Sequence, residues 1–176
     1  MITGVQIADA AVNSGLIGTP YSKLDCQALV ERILAMAGLK IPNYRGSNHM
    51  WRELVHDRQQ IGGDTVILPG MLAFIVRHDG GEVKRGYHDS MGNATHVAVA
   101  LGDGTVFEST TGGVQISSIK RFTHVAKIID VDYQDAVPGG GSGSGLDIDS
   151  RIERIREILL QICGELEDLK DEVNNG

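Results

Sequence analysis

Cysteine and histidine, two residue types that cooperate in nucleophilic catalysis, occur here in positions that favour such chemistry. Cys26 directly follows Asp25, a preferred helix N-cap residue, and precedes the apolar face of a helical pattern at Leu29, Val30 and Ile33. In the first turn of a helix, free backbone N–H groups and the positive end of the helix dipole stabilise a thiolate. The sequence therefore predicts that Cys26 is a nucleophile rather than a small buried hydrophobe.

A thiolate nucleophile needs an imidazole as base and then as acid, and the imidazole needs an orienting partner. His96 begins an alternating strand pattern in which it shares one face with Ala98 and Ala100. Core packing poorly explains a histidine on the small-residue face of a strand. We therefore predict that His96 is the base.

The glycine-rich turn at 102–104 decides on which face of the sheet the next acidic residue, Glu108, lies. A two-residue turn pairs Val99 with Glu108 and places the carboxylate on the face away from His96. A three-residue loop with its last glycine left-handed pairs Ala98 with Glu108 and places the carboxylate diagonally opposite His96. We predict the three-residue loop, because it gives the histidine its orienting partner.

The elements that must position these residues are helices in the first part of the chain and strands afterwards. Thr3 and Gln6 form a capping-box pattern that predicts a helix to about Asn13, and Asp25 begins a second helix that ends at Gly38. The stretch around Trp51 is predicted to be partly helical. Six short Val- and Ile-rich segments follow and are predicted to be strands: Thr65–Leu68, Met71–Arg77, His96–Leu101, Thr105–Ser109, Val114–Ser117 and Val125–Val131. This order favours an α+β fold, with the N-terminal helices packed on an antiparallel sheet.

The C-terminal part of the chain differs in composition from the rest. Residues 138–145 read Pro-Gly-Gly-Gly-Ser-Gly-Ser-Gly, which is typical of a flexible linker. We expect a domain at 1–137, a linker at 138–146 and a helix at 147–174. Of the net charge of −7, −5 lies in residues 146–176, which hold nine acidic and four basic side chains.

The predicted C-terminal helix carries a heptad pattern that favours self-association. Its apolar residues alternate in spacings of three and four over more than three heptads: Ile148, Ile152, Ile155, Leu159, Ile162, Leu166, Leu169 and Val173. In a coiled coil, leucine-rich a positions and isoleucine-rich d positions favour an assembly of four helices. The sequence predicts a homotetramer through residues 147–174, and a helix docked on its own domain is the alternative.

Several classes of protein are disfavoured by composition. The excess of acidic residues argues against nucleic acid as a partner, and no apolar run is long enough to span a bilayer. The stretch Met1–Gly15 lacks the features of a secretory signal, so we expect synthesis in the cytoplasm and action on the cell wall only after release. A metal site built from Cys26, His88 and His96 is not favoured, because no close pair has ligand spacing, and no cofactor is expected.

Four segments together resemble the NlpC/p60 type of papain-like cysteine peptidases. They are Gly18–Tyr21, Leu24–Val30, Leu68–Phe74 and Thr95–Gly104. The resemblance covers roughly residues 5–131 and implies hydrolysis of peptide bonds in peptidoglycan stem peptides, commonly after D-glutamate, as in a phage or prophage lysin. It implies Cys26 as nucleophile, His96 as base and Glu108 as orienting residue.

The sequence departs from the usual pattern of this family at three places. Gln27 replaces the usual Ser after the cysteine, Glu108 replaces a frequent His, and Tyr21 precedes Cys26 by five residues rather than about twelve. The oxyanion hole is then expected to use the Cys26 backbone N–H.

Further residues are expected to contact substrate, and other functions remain open. The candidates for substrate binding are Tyr21, Asp25, Gln27, Trp51 and His88. The same fold and triad would also serve an amidase or an acyltransferase, and a wall-binding or structural module with a degenerate site is the alternative that is not an enzyme.

Overall fold

The computed structural model describes residues 1–78, 87 and 89–134, which form a mixed α+β structure. Its helices are α1 (Gly4–Val12), α2 (Cys26–Met36) and α3 (Ser47–Glu53), with a 3-10 helix at Ile119–Arg121. Its strands are β1 (Ile2–Thr3), β2 (Val55–Gln60), β3 (Leu72–Arg77), β4 (Asn93–Ala100), β5 (Thr105–Thr110), β6 (Gly113–Ser118), β7 (His124–Ile128) and β8 (Val131–Asp132). The α+β class expected from the order of helices and strands is confirmed.

The first two helices begin where their capping residues predict. The Thr3 hydroxyl accepts a hydrogen bond from the Gln6 backbone N–H at 3.2 Å, and the Gln6 side chain accepts one from the Thr3 N–H at 2.9 Å. The Asp25 carboxylate accepts a hydrogen bond from the Ala28 N–H at 2.8 Å, so α2 begins at Cys26. Each cap satisfies a backbone donor that the first turn of a helix leaves free.

The main sheet is antiparallel and has six strands in the order β2-β7-β3-β4-β5-β6, while β1 and β8 form a separate parallel pair. In the hairpin of β4 and β5, Val99 pairs with Phe107 and Ala100 with Val106. This register leaves residues 102–104 as the loop, and Gly104 has a φ of +86°. The predicted three-residue loop is therefore confirmed.

Alternation along β4 divides its side chains between two apolar clusters. Val97 and Val99 pack with residues of α2 such as Leu29. Ala98 and Ala100 pack in a second cluster that includes Phe122 of the segment before β7. The small-residue and large-residue faces predicted from the sequence are thus separated as expected.

The strand predictions fail before β3 and after β7. Thr65–Leu68 is a loop rather than a strand, and the Thr65 hydroxyl closes it by donating to the Gln60 carbonyl at 3.0 Å. β2 was missed because this edge strand is mostly exposed and its sequence, VHDRQQ, lacks apolar alternation. The predicted strand Val125–Val131 ends at Ile128, and a positive φ of 64° at Asp130 precedes β8.

Some predictions concern residues outside the part of the chain that the structure describes. These are His88, the linker at 138–146 and the helix at 147–174 with its tetramer. Within the described residues, no helix has the length and apolar character needed to cross a membrane.

Candidate active site

Cys26 is the first residue of α2, and the chain before it is fastened to two strands of the sheet. The Ser109 hydroxyl of β5 donates to the Leu24 carbonyl at 2.5 Å. Residues 18–19 exchange two backbone hydrogen bonds of 2.9 Å with Val114 of β6. These bonds hold the start of α2 beside β5, and the Cys26 side chain is left only 8% exposed.

His96 of β4 contacts both Cys26 and Glu108. Its Nε2 lies 2.8 Å from the Glu108 Oε2, and the Cys26 thiol lies close enough to the ring to raise the pKa of His96. Since Nε2 is engaged by Glu108, Nδ1 is the ring nitrogen left for Cys26. Burial by itself would lower the pKa of His96, but the hydrogen bonds and negative charges of Cys26 and Glu108 outweigh it and raise this pKa to about 9. The imidazole is therefore protonated at neutral pH.

Glu108 of β5 is 0% exposed and accepts hydrogen bonds from three side chains. The donors are His96 Nε2, the Ser117 hydroxyl of β6 and Nη2 of Arg121 in the 3-10 helix. Burial alone would raise the pKa of Glu108, but the hydrogen bonds from His96 and Ser117 and the charge of Arg121 hold it below its usual range. Glu108 is thus a buried anion that faces a cationic histidine.

Sequence reasoning missed the Ser117 and Arg121 side chains. Ser117 pairs with Val106 in the β5–β6 ladder, and this places it diagonally to Glu108 on the same face. That register could have been predicted from the Gly-containing turn between the two strands. No local pattern points to Arg121, because the 3-10 helix is positioned by a backbone hydrogen bond from Ile119 to Gly104, 3.1 Å long, in another loop.

Tyr21 lies beside Cys26, although it precedes the cysteine by five residues rather than the usual twelve or so. Its hydroxyl lies close enough to Cys26 for the thiol and the backbone N–H of that residue to influence the pKa of Tyr21. Burial, and then the neighbouring thiol, raise the pKa of Tyr21 above its ordinary value, so the hydroxyl keeps its proton at neutral pH. The side chain is still 39% exposed and can be reached from solvent.

The two residues that flank the cysteine bond to the protein itself. Asp25 caps α2. Gln27 donates to the Tyr44 carbonyl at 2.6 Å and to the Glu31 carboxylate at 2.8 Å, and accepts from the Gly46 N–H at 2.5 Å. The amide that replaces the usual serine hydroxyl thus fixes the segment that leads into α3.

Trp51 does not line a groove, so this prediction needs correction. It is 2% exposed, packs edge-on against Phe74 at 5.0 Å between ring centroids, and donates its indole N–H to the Met91 carbonyl at 3.1 Å. Its place in α3 over the sheet buries the ring. Next to it in α3, the Arg52 guanidinium stacks over the Tyr87 ring, with its central carbon 3.8 Å from the ring centre.

Among the residues that the structure describes, no group of three or more His, Cys, Asp or Glu side chains could hold a metal ion.

Several solved structures have folds similar to that of this chain. Among solved structures, the NlpC/p60 domain of the peptidoglycan hydrolase SagA is similar, with a TM-score of 0.50 and 21% identity, over 72% of this chain and 99% of that domain. This chain has the NlpC/p60 fold. An NlpC/p60 family protein from Bacillus cereus ATCC 10987 is similar at 25% identity and a TM-score of 0.48, over 68% of this chain and 39% of that one.

Sequence comparison finds a curated protein related to the same region. The chain is 26% identical over 101 residues to the bifunctional muramidase/DL-endopeptidase CwlT of Bacillus subtilis. The match covers 57% of this chain, which spans about a quarter (26%) of that relative's length. No protein-family model matches the chain. The resemblance to NlpC/p60 domains inferred from four sequence segments is thus confirmed by the fold.

Proposed function

We propose that this protein is a cysteine peptidase that hydrolyses peptide bonds in peptidoglycan stem peptides. The observation that carries this proposal is the grouping of Cys26, His96 and Glu108, in which His96 bonds to Glu108 at 2.8 Å and lies next to Cys26. The NlpC/p60 fold shared with SagA and the sequence similarity to a DL-endopeptidase support the choice of substrate. Within that class, the bond after D-glutamate is the proposed site of cleavage.

The geometry allows a two-step acyl transfer. The Cys26 thiolate attacks the carbonyl carbon, and the Cys26 backbone N–H with the Tyr21 hydroxyl stabilises the oxyanion that forms. The His96 imidazolium donates its Nδ1 proton to the leaving amine, which departs as the thioester forms. Neutral His96 then takes a proton from water, and the hydroxide attacks the thioester. The C–S bond breaks, which regenerates the Cys26 thiolate and releases the second peptide with a new carboxylate. Glu108 holds the ring at Nε2 throughout both steps.

Substrate binding is proposed for residues at the rim of this site. Tyr21 is exposed enough to contact a peptide, and Asp25 presents an anionic side chain beside Cys26. Gln27 is proposed to act indirectly, because its hydrogen bonds fix the segment from Tyr44 to Gly46. The role of His88 stays a prediction from the sequence.

The proposal is tested by digesting purified peptidoglycan and identifying the released fragments by mass spectrometry. We expect fragments with a new carboxyl end at D-glutamate, and a loss of about a thousandfold or more in rate for Cys26→Ala. Cys163→Ala, which alters the second cysteine of the chain, is the matched control and should keep the activity.

Other products would name other functions. Release of whole stem peptides from the sugar chain would indicate an amidase, and transfer of the acyl group to an added amine would indicate an acyltransferase. Wall binding without cleavage, unchanged in Cys26→Ala, would indicate a binding module and contradict the proposal.

We also propose that the chain acts as a homotetramer held by residues 147–174. The support is the heptad pattern of the sequence alone. Four linked domains would bind a polymeric wall with greater avidity than one.

A further inference from the structure

A guanidinium lies beside the proposed catalytic pair without belonging to it. Arg121 Nη2 donates a hydrogen bond to Glu108 Oε2, the oxygen that also binds His96, and lies 3.4 Å from His96 Nε2. The Arg121 side chain is 47% exposed, whereas the Glu108 carboxylate is fully buried. The permanently charged, half-exposed Arg121 side chain therefore lies directly beside His96, the proposed base.

We propose that Arg121 is a positioning residue that keeps Glu108 ionised through the catalytic cycle and sets the pH range in which Cys26 and His96 form an ion pair. This inference rests on the proposed peptidase function and adds to it a residue that neither the sequence motif nor the triad includes.

The first part of the argument concerns the charge of Glu108. A buried carboxylate takes up a proton unless cations or hydrogen-bond donors stabilise its charge. His96 supplies a cation only until it gives its proton to the leaving amine. At that stage Arg121 is the cation that remains in contact with Glu108, so the carboxylate stays charged and keeps accepting the Nε2 hydrogen of His96.

The second part concerns the charges of Cys26 and His96. A cation near the ion pair opposes protonation of both groups, because it repels the imidazolium and attracts the thiolate. Removing the charge of Arg121 should therefore raise the pKa of His96 and weaken the stabilisation of the Cys26 thiolate. The two pH values at which the reactivity of Cys26 changes should therefore both move upward. If Arg121 had only a structural role, its removal would lower the reaction rate without moving either pH value.

The titratable and charged groups that face this pair come from several elements. Cys26 lies in the first turn of α2, Tyr21 in the segment before it, Glu108 in β5 and Arg121 in the 3-10 helix. The raised pKa of Tyr21 keeps that hydroxyl neutral below pH 10. Titration near neutral pH is therefore expected to report on the thiol and the imidazole.

Packing around Phe122 fixes the position of the guanidinium. The Arg121 guanidinium carbon lies 5.1 Å from the centre of the Phe122 ring, and the His96 ring lies 5.7 Å from the same ring. Arg121 and His96 thus share one aromatic neighbour. The charge is held next to the imidazole by packing as well as by its contact with Glu108.

The test measures the rate at which iodoacetamide alkylates Cys26 between pH 4 and 10 in the full chain carrying Cys163→Ser. This reagent is uncharged, so a change of surface charge does not alter its approach. The parent protein should show two transitions, one for ion-pair formation and one for loss of the imidazolium proton. Arg121→Gln should shift both upward by about half to one pH unit, because the half-exposed charge is screened by solvent.

Two further variants separate charge from structure. Arg121→Lys keeps a cation and should restore the parent profile, and Lys120→Gln removes the exposed neighbouring cation and should leave it unchanged. If Arg121→Gln does not fold, as judged by circular dichroism, Arg121→Met removes the charge but keeps packing against Phe122.

The outcomes distinguish this inference from the proposed function. A parent protein without a low-pH transition would contradict the ion pair and hence the peptidase proposal. Two transitions in the parent that stay in place in Arg121→Gln, or that move downward, would overturn the role of Arg121 alone. A shift in Arg121→Lys as large as in Arg121→Gln would also overturn it, because the charge would then not be the cause.

Discussion

At the scale of single residues, the site depends on a few polar atoms that are placed against one thiol. Glu108 is an acceptor with a full charge, so it stabilises an imidazolium more strongly than a neutral side chain would. Tyr21 adds a hydroxyl beside the Cys26 thiol and N–H, from a position much closer in sequence than is usual for such a tyrosine. The contribution of this hydroxyl to oxyanion stabilisation can be tested by removing it.

Tyr21→Phe is expected to lower kcat by about tenfold to a hundredfold with little change in KM, because a hydroxyl aimed at the oxyanion acts only in the transition state. The measurement is steady-state hydrolysis of a stem peptide. Tyr44→Phe, which removes a hydroxyl from the segment before α3, is the control. An unchanged kcat in Tyr21→Phe would assign the oxyanion to backbone donors instead.

At the scale of elements, the β4–β5 hairpin brings together His96, the proposed base, and Glu108, its proposed orienting residue. Its loop fixes which residues of the two strands lie opposite one another, and a change of one residue in register moves a side chain to the other face. The Asp103 carboxylate accepts a hydrogen bond of 3.0 Å from the Thr105 N–H, and a neighbouring left-handed glycine completes the turn. The pairing of the two strands across this loop therefore decides whether Glu108 can reach His96.

Deletion of Thr105 is expected to abolish peptidase activity, because Leu101 would then pair with Val106 and Val99 with Glu108, which carries the carboxylate to the face of the sheet away from His96. The measurement pairs hydrolysis of a stem peptide with thermal unfolding. Gly104→Asn keeps the loop length and suits the positive φ, so this control should keep most of the activity. Full activity in the deletion variant would show that Glu108 is not needed to orient His96.

At the scale of the whole molecule, composition divides the chain into unlike parts. Residues 146–176 carry most of the negative charge, and residues 1–145 carry only −2. If the proposed function holds, nearly neutral residues 1–145 would be repelled less by an anionic cell wall than the net charge of −7 suggests. The heptad pattern lies within the acidic residues 146–176.

Light scattering on the intact chain and on a version that ends at Val137 tests the proposed tetramer. We expect four chains per particle in the intact protein and one in the shortened version, because the heptad residues are then missing. A monomeric intact chain would exclude the tetramer, and a tetrameric shortened chain would place the interface in the catalytic region.

The sequence by itself determined the features that depend on short-range interactions. Helix starts at Thr3 and Asp25 follow from caps that join residues three apart, and the placement of Glu108 opposite His96 follows from one loop of three residues. Periodicity failed at β2 because an exposed edge strand has no buried face to impose alternation. The coarse fold and the contact of Glu108 with His96 could therefore be predicted.

Only the tertiary structure decided the surroundings of these residues. The reach of Tyr21 to Cys26 depends on a segment fastened to β5 and β6, and the contact of Arg121 with Glu108 depends on a 3-10 helix bonded to a distant loop. Trp51 was predicted to meet substrate, but α3 packs it into the core. Such contacts join residues far apart in the chain, so packing of the whole domain, rather than local pattern, determines them.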